Sequence, residues 1–281
     1  MKINTKAIRW NRVVSQLVKQ ALALLVCSIM LIPLALVILN SFKSQSESFA
    51  MNFNWPKIFH FENYLSVIDK GKIVPTLINS LIYSSATVLI SVPLSAMAAF
   101  VLARNRTKLN NAIYFFLVLG LTLSVNHIAL MKIMQLTHLI NTRFGLSLIY
   151  SALQIPFNVF LYYGFILTVP KELDEAGIID GCSPFKLFSS IVLPLLRPVS
   201  VTIIILCTLN TWNDFIYPLY YMNSSDKWPI TIGVYQFFGR YQVSWNLVCA
   251  DVVLMSLPVI ILYILGQKFI VSGMTAGSVK S

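Results

Sequence analysis

Residues 171–194 read KELDEAGIIDGCSPFKLFSSIVLP, a 24-residue polar stretch that stands between two strongly apolar segments. It holds four of the ten acidic residues of the chain, namely Glu172, Asp174, Glu175 and Asp180. The next apolar segment begins almost immediately after it. A structured polar insert of this kind, in an otherwise apolar chain, is typical of a surface that meets something outside a membrane.

The composition of the chain indicates a membrane protein. Of its 281 residues, 57% are hydrophobic and only 11% are charged, whereas soluble domains average about 25% charged residues. Such a chain cannot cover itself with a polar surface.

Six apolar segments are each long enough to cross a bilayer as a helix, which takes about 20 residues. Helices are expected because lipid offers no partners for unpaired backbone groups. The predicted spans cover about 20–42, 74–103, 109–131, 145–169, 198–222 and 247–270. The sequence therefore predicts an all-α membrane protein, with an N-terminal segment at 1–19 and a six-span domain over 20–281.

The distribution of Lys and Arg predicts the orientation of these spans. With six spans, the N-terminus, the loop after span two, the polar insert and the C-terminus share one side and carry 13 Lys and Arg residues, against 8 on the other side. The more basic side is expected to be cytoplasmic. The insert and both termini are thus predicted to face the cytosol. No basic patch typical of nucleic-acid binding is evident.

The insert is predicted to form two short helices joined by a turn. Acidic residues in the first turn favour a helix over 172–179, and Asp180-Gly181 ends it because glycine tolerates the left-handed conformation. Ser183-Pro184 restarts the chain as an N-cap followed by proline at the first helical position. Leu193-Pro194 is expected to break the second helix before the next span.

No motif in the sequence indicates catalysis or metal binding. The four cysteines are far apart in sequence, and the three histidines form no metal-ligand pattern. There is also no glycine-rich phosphate loop. We therefore predict no catalytic residue, no metal site and no cofactor in this chain.

The spacing of the insert resembles the EAA loop of ABC-importer permease subunits. It runs Glu175-Ala176-Gly177, three residues, Gly181, nine residues, Ile191, one residue, and then Leu193-Pro194. Gly177 stands where the family usually has a second Ala, and Cys182 stands where an Ala often follows the glycine. Both replacements are small.

Three further stretches resemble the carbohydrate-importer permeases of the maltose type, in particular the MalG-like partner. They are Asn79-Ser80-Leu81 at the start of span two, Trp212-Asn213-Asp214-Phe215 in span five, and the tail 273–280. The resemblance extends over nearly the whole chain. It implies a type I ABC-importer permease fold, with a cytoplasmic EAA coupling helix between spans four and five.

The resemblance also implies a mechanism, in which the EAA helix docks on a cytoplasmic ATPase and transmits its closure to the spans, giving alternating access. The positions implied to couple to the ATPase are Glu172, Glu175, Ala176, Gly177, Asp180 and Gly181. Ala176 and Gly177 leave little side-chain bulk, so that another surface can approach the helix closely. In the C-terminal tail, the positions implied to reach the ATPase are Thr275, Gly277 and Lys280.

The implied assembly is an importer in the cytoplasmic (inner) membrane of a prokaryotic cell. Its other parts are a second, MalF-like permease, two ATPase subunits that bind ATP and Mg, and an extracytoplasmic solute-binding protein. The surrounding partner is lipid, and no nucleic acid is expected. An oligosaccharide is the implied cargo.

Polar residues in spans four and five form candidate contacts with the solute. They share helical faces, and the candidates are Asn158, Tyr162, Asn210, Asn213, Asp214 and Tyr217. Two structural roles stay open for the same residues, namely an interfacial aromatic belt and polar groups that join helices. A stripe of Ser and Thr in span two is expected to be a packing seam rather than a pore lining.

Two other functions remain as alternatives. One is an ABC permease for another solute, and the other is a self-sufficient secondary transporter or channel. The latter would need charge relays or internal repeats, and the sequence offers only two isolated intramembrane acids, Asp214 and Asp251. A membrane-embedded enzyme would need clustered catalytic residues, which do not appear.

Overall fold

The computed structural model describes residues 5–238 and 243–276, with side chains from 15 to 238 and from 243 to 267. The chain forms two compact units, of which one comprises Met1–Gly71 and Gln236–Leu254 and the other Lys72–Tyr235 and Met255–Ser281. Every regular element in the described ranges is a helix. The predicted all-α class is therefore confirmed for this part of the chain.

The α-helical segments of the described ranges, in chain order, are α1 Thr5–Ser41, α2 Gln45–Ser48, α3 Glu62–Lys70, α4 Ile73–Arg104, α5 Lys108–Leu119, α6 His127–Leu136, α7 Arg143–Ile166, α8 Glu172–Ile179, α9 Pro184–Lys186, α10 Leu193–Leu195, α11 Arg197–Asn213, α12 Ile216–Tyr221, α13 Ile230–Gly233 and α14 Trp245–Ala276. A π-helix, Leu187–Val192, joins α9 to α10. Short 3₁₀ helices cover Ser225–Lys227 and Val234–Phe237.

In the first unit, α1 presents its apolar side chains outward. None of its most apolar window is buried inside the chain, and Leu24 and Met30 are 69% and 67% exposed. A helix that exposes this much apolar surface is suited to lipid rather than to water.

The end of α1 is held by a network of buried polar groups. Nζ of Lys43 donates to Asn40 Oδ1 at 3.0 Å, to Asn52 O at 2.7 Å and to Asn52 Oδ1 at 2.9 Å. Asn63 Nδ2 donates to the carbonyls of Ser41 and Lys43 at 2.8 and 2.9 Å. The bond from Asn63 to Ser41 engages one of the carbonyls that the end of a helix leaves unpaired.

The second unit is built around α4, α7 and α11. Their contacts form its main core, which includes Ala99, Val159, Ile203 and Cys207. The stripe of small hydroxyl residues on α4 faces this core: Ser80, Ser84, Thr87, Ser91 and Ser95 are each at most 3% exposed. The prediction of a packing seam is thus confirmed, because small side chains let the helices approach closely.

Four helices are long and apolar enough to cross a membrane by length and composition: Ser15–Ser41, Ile73–Arg104, Arg143–Ile166 and Trp245–Gln267. A bent pair, Pro184–Leu195 with Arg197–Asn213, makes a fifth candidate if it is counted as one span, and α5 is a shorter apolar helix. These counts concern the described ranges alone. The four helices correspond to predicted spans one, two, four and six, and α11 of the bent pair covers the first part of predicted span five.

The predicted third span, over 109–131, is not one continuous helix. α5 ends at Leu119 and α6 begins at His127. Asn126 caps α6, since its side chain accepts the backbone N–H groups of Ile128 and Ala129 at 3.1 and 3.0 Å. An apolar run alone carries no signal for such a break.

The predicted fifth span, over 198–222, is also broken. α11 ends at Asn213, and Asp214 has an extended backbone with ψ of 136°. The Asp214 carboxylate accepts the N–H of Tyr217 at 3.1 Å, and Thr231 Oγ1 donates to the Asp214 carbonyl at 2.7 Å. These side-chain bonds take the place of the helical ones, so that α12 starts anew at Ile216.

Candidate coupling loop and solute path

The predicted helix–turn–helix of the polar insert is present. α8 spans Glu172–Ile179, as predicted, with three acids in its first turn. Gly181 has a φ of +77°, which favours glycine and turns the chain out of the helix. Ser183 then accepts the N–H of Lys186 at 3.4 Å, and Pro184 occupies the first turn of α9. We call residues 171–195 the coupling loop.

The second helix of the coupling loop differs from the prediction at its end. The helical path runs through the π-helix Leu187–Val192 and across Pro194 to Leu195, and a 79° bend separates it from α11. The prediction that Leu193-Pro194 breaks the helix is wrong by a few residues. Pro194 cannot donate to the carbonyl four residues earlier, and π-turns accommodate such local mismatches.

Gly177 faces the interior of the coupling loop. A Cβ at this position would lie 2.6 Å from Cδ1 of Leu187 and 2.7 Å from Cδ1 of Ile191. The space that a side chain would occupy at this position is therefore filled by the second helix of the same loop. This corrects the expectation that Gly177 leaves room for a partner, since it leaves room for Leu187 and Ile191 instead.

An ion pair ties the coupling loop to the end of α4. Arg104 Nε lies 2.6 Å from Asp174 Oδ2, and the two side chains are 13% and 12% exposed. Arg104 Nη2 also donates to the carbonyl of Val169 at 3.1 Å. One guanidinium thus joins the end of α4, the segment after α7 and α8. The sequence analysis did not predict this role for either residue. One signal was available, because Asp174 lies one turn before Gly177 and therefore on the same, buried face of α8.

The opposite face of the coupling loop is open. Glu172, Glu175, Ala176 and Asp180 are exposed, and so are three large apolar side chains: Ile178 is 62%, Ile179 85% and Phe185 73% exposed. Exposed apolar residues rimmed by acids are typical of a surface for a protein partner.

Two candidates for the solute path are buried joints between helices. Asn158 is 0% exposed, and its amide nitrogen lies 3.3 Å from both Ser91 Oγ and Cys207 Sγ. Tyr162 is 0% exposed, and its hydroxyl donates to Ser200 Oγ at 2.8 Å. Neighbouring helices occupy the polar groups of Asn158 and Tyr162 in this structure, and their contact with solute stays a prediction.

The other four candidates lie around the break in span five. Asp214 Oδ2 accepts the hydroxyl of Tyr150 at 2.9 Å and the N–H of Tyr217, so this carboxylate is engaged in shaping the break. Asn210 and Asn213 are exposed and Tyr217 is half-buried. The structure thus leaves three of the six candidates with accessible polar groups.

The predicted C-terminal contacts are only partly covered by the structure. Thr275 lies in the last turn of α14, which continues to Ala276. Gly277 and Lys280 lie outside the described residues.

Comparison with known proteins identifies the class to which this arrangement belongs. Residues 91–276 match the family of binding-protein-dependent transport system inner membrane components. The chain belongs to this family. It is an ABC-transporter permease subunit and a multi-pass membrane protein, which confirms the family resemblance seen in its motifs.

Individual relatives align with this chain over almost its full length. The chain is 32% identical to the probable starch degradation products transport system permease protein AmyC of Thermoanaerobacterium thermosulfurigenes, covering 88% of this chain and 91% of the relative. It is 29% identical to the melibiose/raffinose/stachyose import permease protein MelC of Bacillus subtilis, covering 97% and 100%. A crystal structure of a bacterial ABC transporter that imports the acidic polysaccharide alginate has a chain with a TM-score of 0.78 at 20% identity, covering 95% and 99%. That likeness shows the fold.

Proposed function

We propose that this chain is the permease subunit of an ATP-driven, binding-protein-dependent sugar importer. The observation that carries the proposal is the coupling loop, a capped helix–turn–helix with one face bound to the chain and the other face open. ATP and Mg belong to the partner ATPase subunits, and this chain performs no bond chemistry itself.

The contacts of the coupling loop suit it to transmit a displacement. Gly177 brings α8 against Leu187 and Ile191, and Arg104 binds Asp174, so that α8 cannot move without the end of α4. α4 in turn lies against α7 and α11 along the serine seam. A push on the open face would therefore reach the helices of the second unit, whereas an unstructured loop would absorb it.

The open face has the chemistry to dock on a protein. Glu175 and Glu172 supply negative charge, and Ile178, Ile179 and Phe185 supply apolar area at the tip. Charged groups steer the encounter, while buried apolar side chains supply most of the affinity. We assign this face to a cytoplasmic ATPase subunit.

Six crossings with cytoplasmic termini are the topology that we propose. The pair α5–α6 would form the third crossing and the pair α11–α12 the fifth. Both crossings are interrupted, and interrupted helices at membrane depth are found where protein or water, rather than lipid, faces the break. A second permease subunit would complete the path between the two chains.

Sugars are the proposed cargo, with oligosaccharides favoured, because relatives that align over most of the chain are named for such solutes. The outer loops 43–72 and 223–246 are the proposed docking surface for a solute-binding protein. Trp55, 76% exposed, is available there as an anchor. Trp228 instead donates its indole N–H to the carbonyl of Met222 at 2.9 Å and stabilises its own loop.

Co-purification tests this proposal. The tagged chain, extracted from its host membrane in mild detergent, should bring an ATPase with it. The variant Glu175→Arg should lose that ATPase and sugar uptake, whereas Asp69→Arg, an exposed acid of the predicted outer loop 43–72, should keep the ATPase. An unmodified chain without an ATPase, or full binding and uptake by Glu175→Arg, would overturn the proposal.

A further inference from the structure

Four aromatic side chains meet where the two interrupted crossings approach each other. The ring of His127 stacks on Tyr220, with ring centroids 5.2 Å apart and an interplanar angle of 26°, and it lies 5.3 Å from Tyr217. The ring of Tyr221 lies 6.1 Å from that of Tyr217 and is fully buried. We call His127, Tyr217, Tyr220 and Tyr221 the aromatic patch.

The backbone beside the aromatic patch is unsuited to lipid. Within the described residues, the N–H groups of Leu123, Ser124 and Val125 make no hydrogen bond. In the proposed topology, α5 enters the membrane beside the basic loop at 104–108, and its 12 residues, at about 1.5 Å per residue, carry the chain up to about 18 Å inward. This depth lies inside a hydrocarbon layer about 30 Å thick, where exposed unpaired backbone must face water or protein.

The polar groups of the aromatic patch are oriented by its own hydrogen bonds and remain partly open. The Tyr221 hydroxyl donates to the carbonyl of His127 at 3.1 Å, so its oxygen is free to accept from His127 Nδ1 at 3.3 Å. His127 Nε2 is then an acceptor. Among the described residues, Nε2 and the hydroxyls of Tyr217 and Tyr220 have no hydrogen-bond partner, and Tyr220 is 47% exposed.

Exposed polar side chains continue from this patch along α11. Asn210 and Asn213 lie three residues apart on α11 and are exposed, and beyond the break at Asp214, Tyr220 is exposed and Tyr217 is half-buried. Polar groups at membrane depth face protein or an aqueous cavity by preference. These four side chains therefore have the chemistry of a wetted surface.

We infer that the aromatic patch is a contact point for a neutral saccharide on its way through the permease, an inference that rests on the proposed function. A sugar ring stacks its C–H face on Tyr220, while its hydroxyls bond to the Tyr217 hydroxyl and to His127 Nε2. The Asp214 carboxylate lies beside Tyr217, and no described Lys or Arg hydrogen-bonds to the patch. An acidic sugar is therefore disfavoured.

The test uses the complete importer, with its binding protein and ATPase, in proteoliposomes. The probes are radiolabelled raffinose, maltotetraose and diacetylchitobiose, with an alginate-derived oligouronate as the acidic comparison. Maximal uptake rates are compared for Tyr220→Leu, Tyr220→Trp, His127→Leu and the control Tyr263→Leu, an exposed tyrosine on α14. Yield of assembled complex and basal ATP hydrolysis are measured for each variant.

Tyr220→Leu and His127→Leu should lower the maximal uptake of the transported neutral sugar by about three- to tenfold, the range expected for losing one aromatic contact. Tyr220→Trp, which keeps an aromatic face, should have a maximal uptake rate within about twofold of the unmodified protein. Uptake by the control variant should not change. The yield of assembled complex and the basal ATP hydrolysis should be the same for all variants. An undiminished rate in Tyr220→Leu, a loss of complex assembly, or preferred uptake of the oligouronate would overturn the inference alone. An unmodified importer that moves none of the sugars would overturn the proposed function.

Discussion

Replacing Asp174 by Asn should loosen the coupling loop from α4 while leaving its open face unchanged. The substitution keeps the size of the side chain and removes the charge that faces Arg104 at 2.6 Å. Arg104 keeps its bond to the Val169 carbonyl at 3.1 Å, so its guanidinium is not left without a partner.

The burial of the pair sets the expected magnitude. Breaking a fully buried ion pair costs about 3–5 kcal/mol, and an exposed pair contributes about 0–1 kcal/mol. With side chains 13% and 12% exposed and one remaining bond to Arg104, we expect a loss of about 2–3 kcal/mol. For a chain of this size, that loss lowers Tm by about 5–10 °C.

Thermal unfolding of the purified importer in detergent measures the stability effect, and a double-mutant cycle with Arg104→Met isolates the pair. Transport per ATP hydrolysed should fall as well, because the ATPase still docks but its displacement is transmitted less completely. Asp180→Asn, which removes an exposed carboxylate of the same loop, is the matched control for stability and should leave Tm unchanged.

Two results would refute this reasoning. The first is a double mutant whose loss equals the sum of the single losses, since the two side chains would then contribute independently. The second is normal transport per ATP in a variant whose Tm has fallen by the expected amount, because the pair would then stabilise the loop without transmitting motion.

Three further predictions concern other buried positions. Gly177→Ala should lower the free energy of unfolding by about 1–2 kcal/mol, because the added methyl group overpacks against two flexible side chains, and Tm should fall. Gly164→Ala, where a Cβ would have no atom within 4 Å, should instead raise it by about 0.5–1 kcal/mol. Equal shifts in Tm for the two variants would contradict this. Asp251→Val should raise the free energy of unfolding by about 1–4 kcal/mol, seen as a higher Tm. Both carboxylate oxygens of Asp251 are buried without a hydrogen-bond partner in the described structure. A lower Tm would show that the carboxylate has a partner. Lys43→Met should speed proteolytic cleavage of the loop 43–72, since three hydrogen bonds are lost, while exposed Lys57→Met should not; indistinguishable cleavage rates would rule out this anchor.

Local physics made much of the fold predictable from sequence. The ends of the coupling-loop helices are set by residues that interact only with their neighbours in the chain, namely the acids of the first turn, Gly181 and Ser183-Pro184. The bounds of α8 are those that these residues predict. Long apolar runs likewise predicted α1, α4, α7 and α14, because length and hydropathy are enough to favour a membrane helix. The family motif in the coupling loop was legible for the same reason, since its spacing lies within some twenty consecutive residues.

Features that depend on distant residues could not be predicted in this way. Asn158 and Asn210 are amides on apolar helices, and only packing decides that one is buried against Ser91 and Cys207 while the other stays accessible. The break at Asp214 likewise depends on Tyr150, 64 residues earlier, whose hydroxyl binds its carboxylate.

The coupling loop itself shows where the two kinds of information divide. Its helices, turn and open acids follow from short-range propensities and caps, which any chain with these neighbours would share. The inward packing of Gly177 and the ion pair between Asp174 and Arg104 depend on which helices pack against each other. Tertiary structure alone decides such contacts, because they join residues on different helices and no local preference selects between their partners.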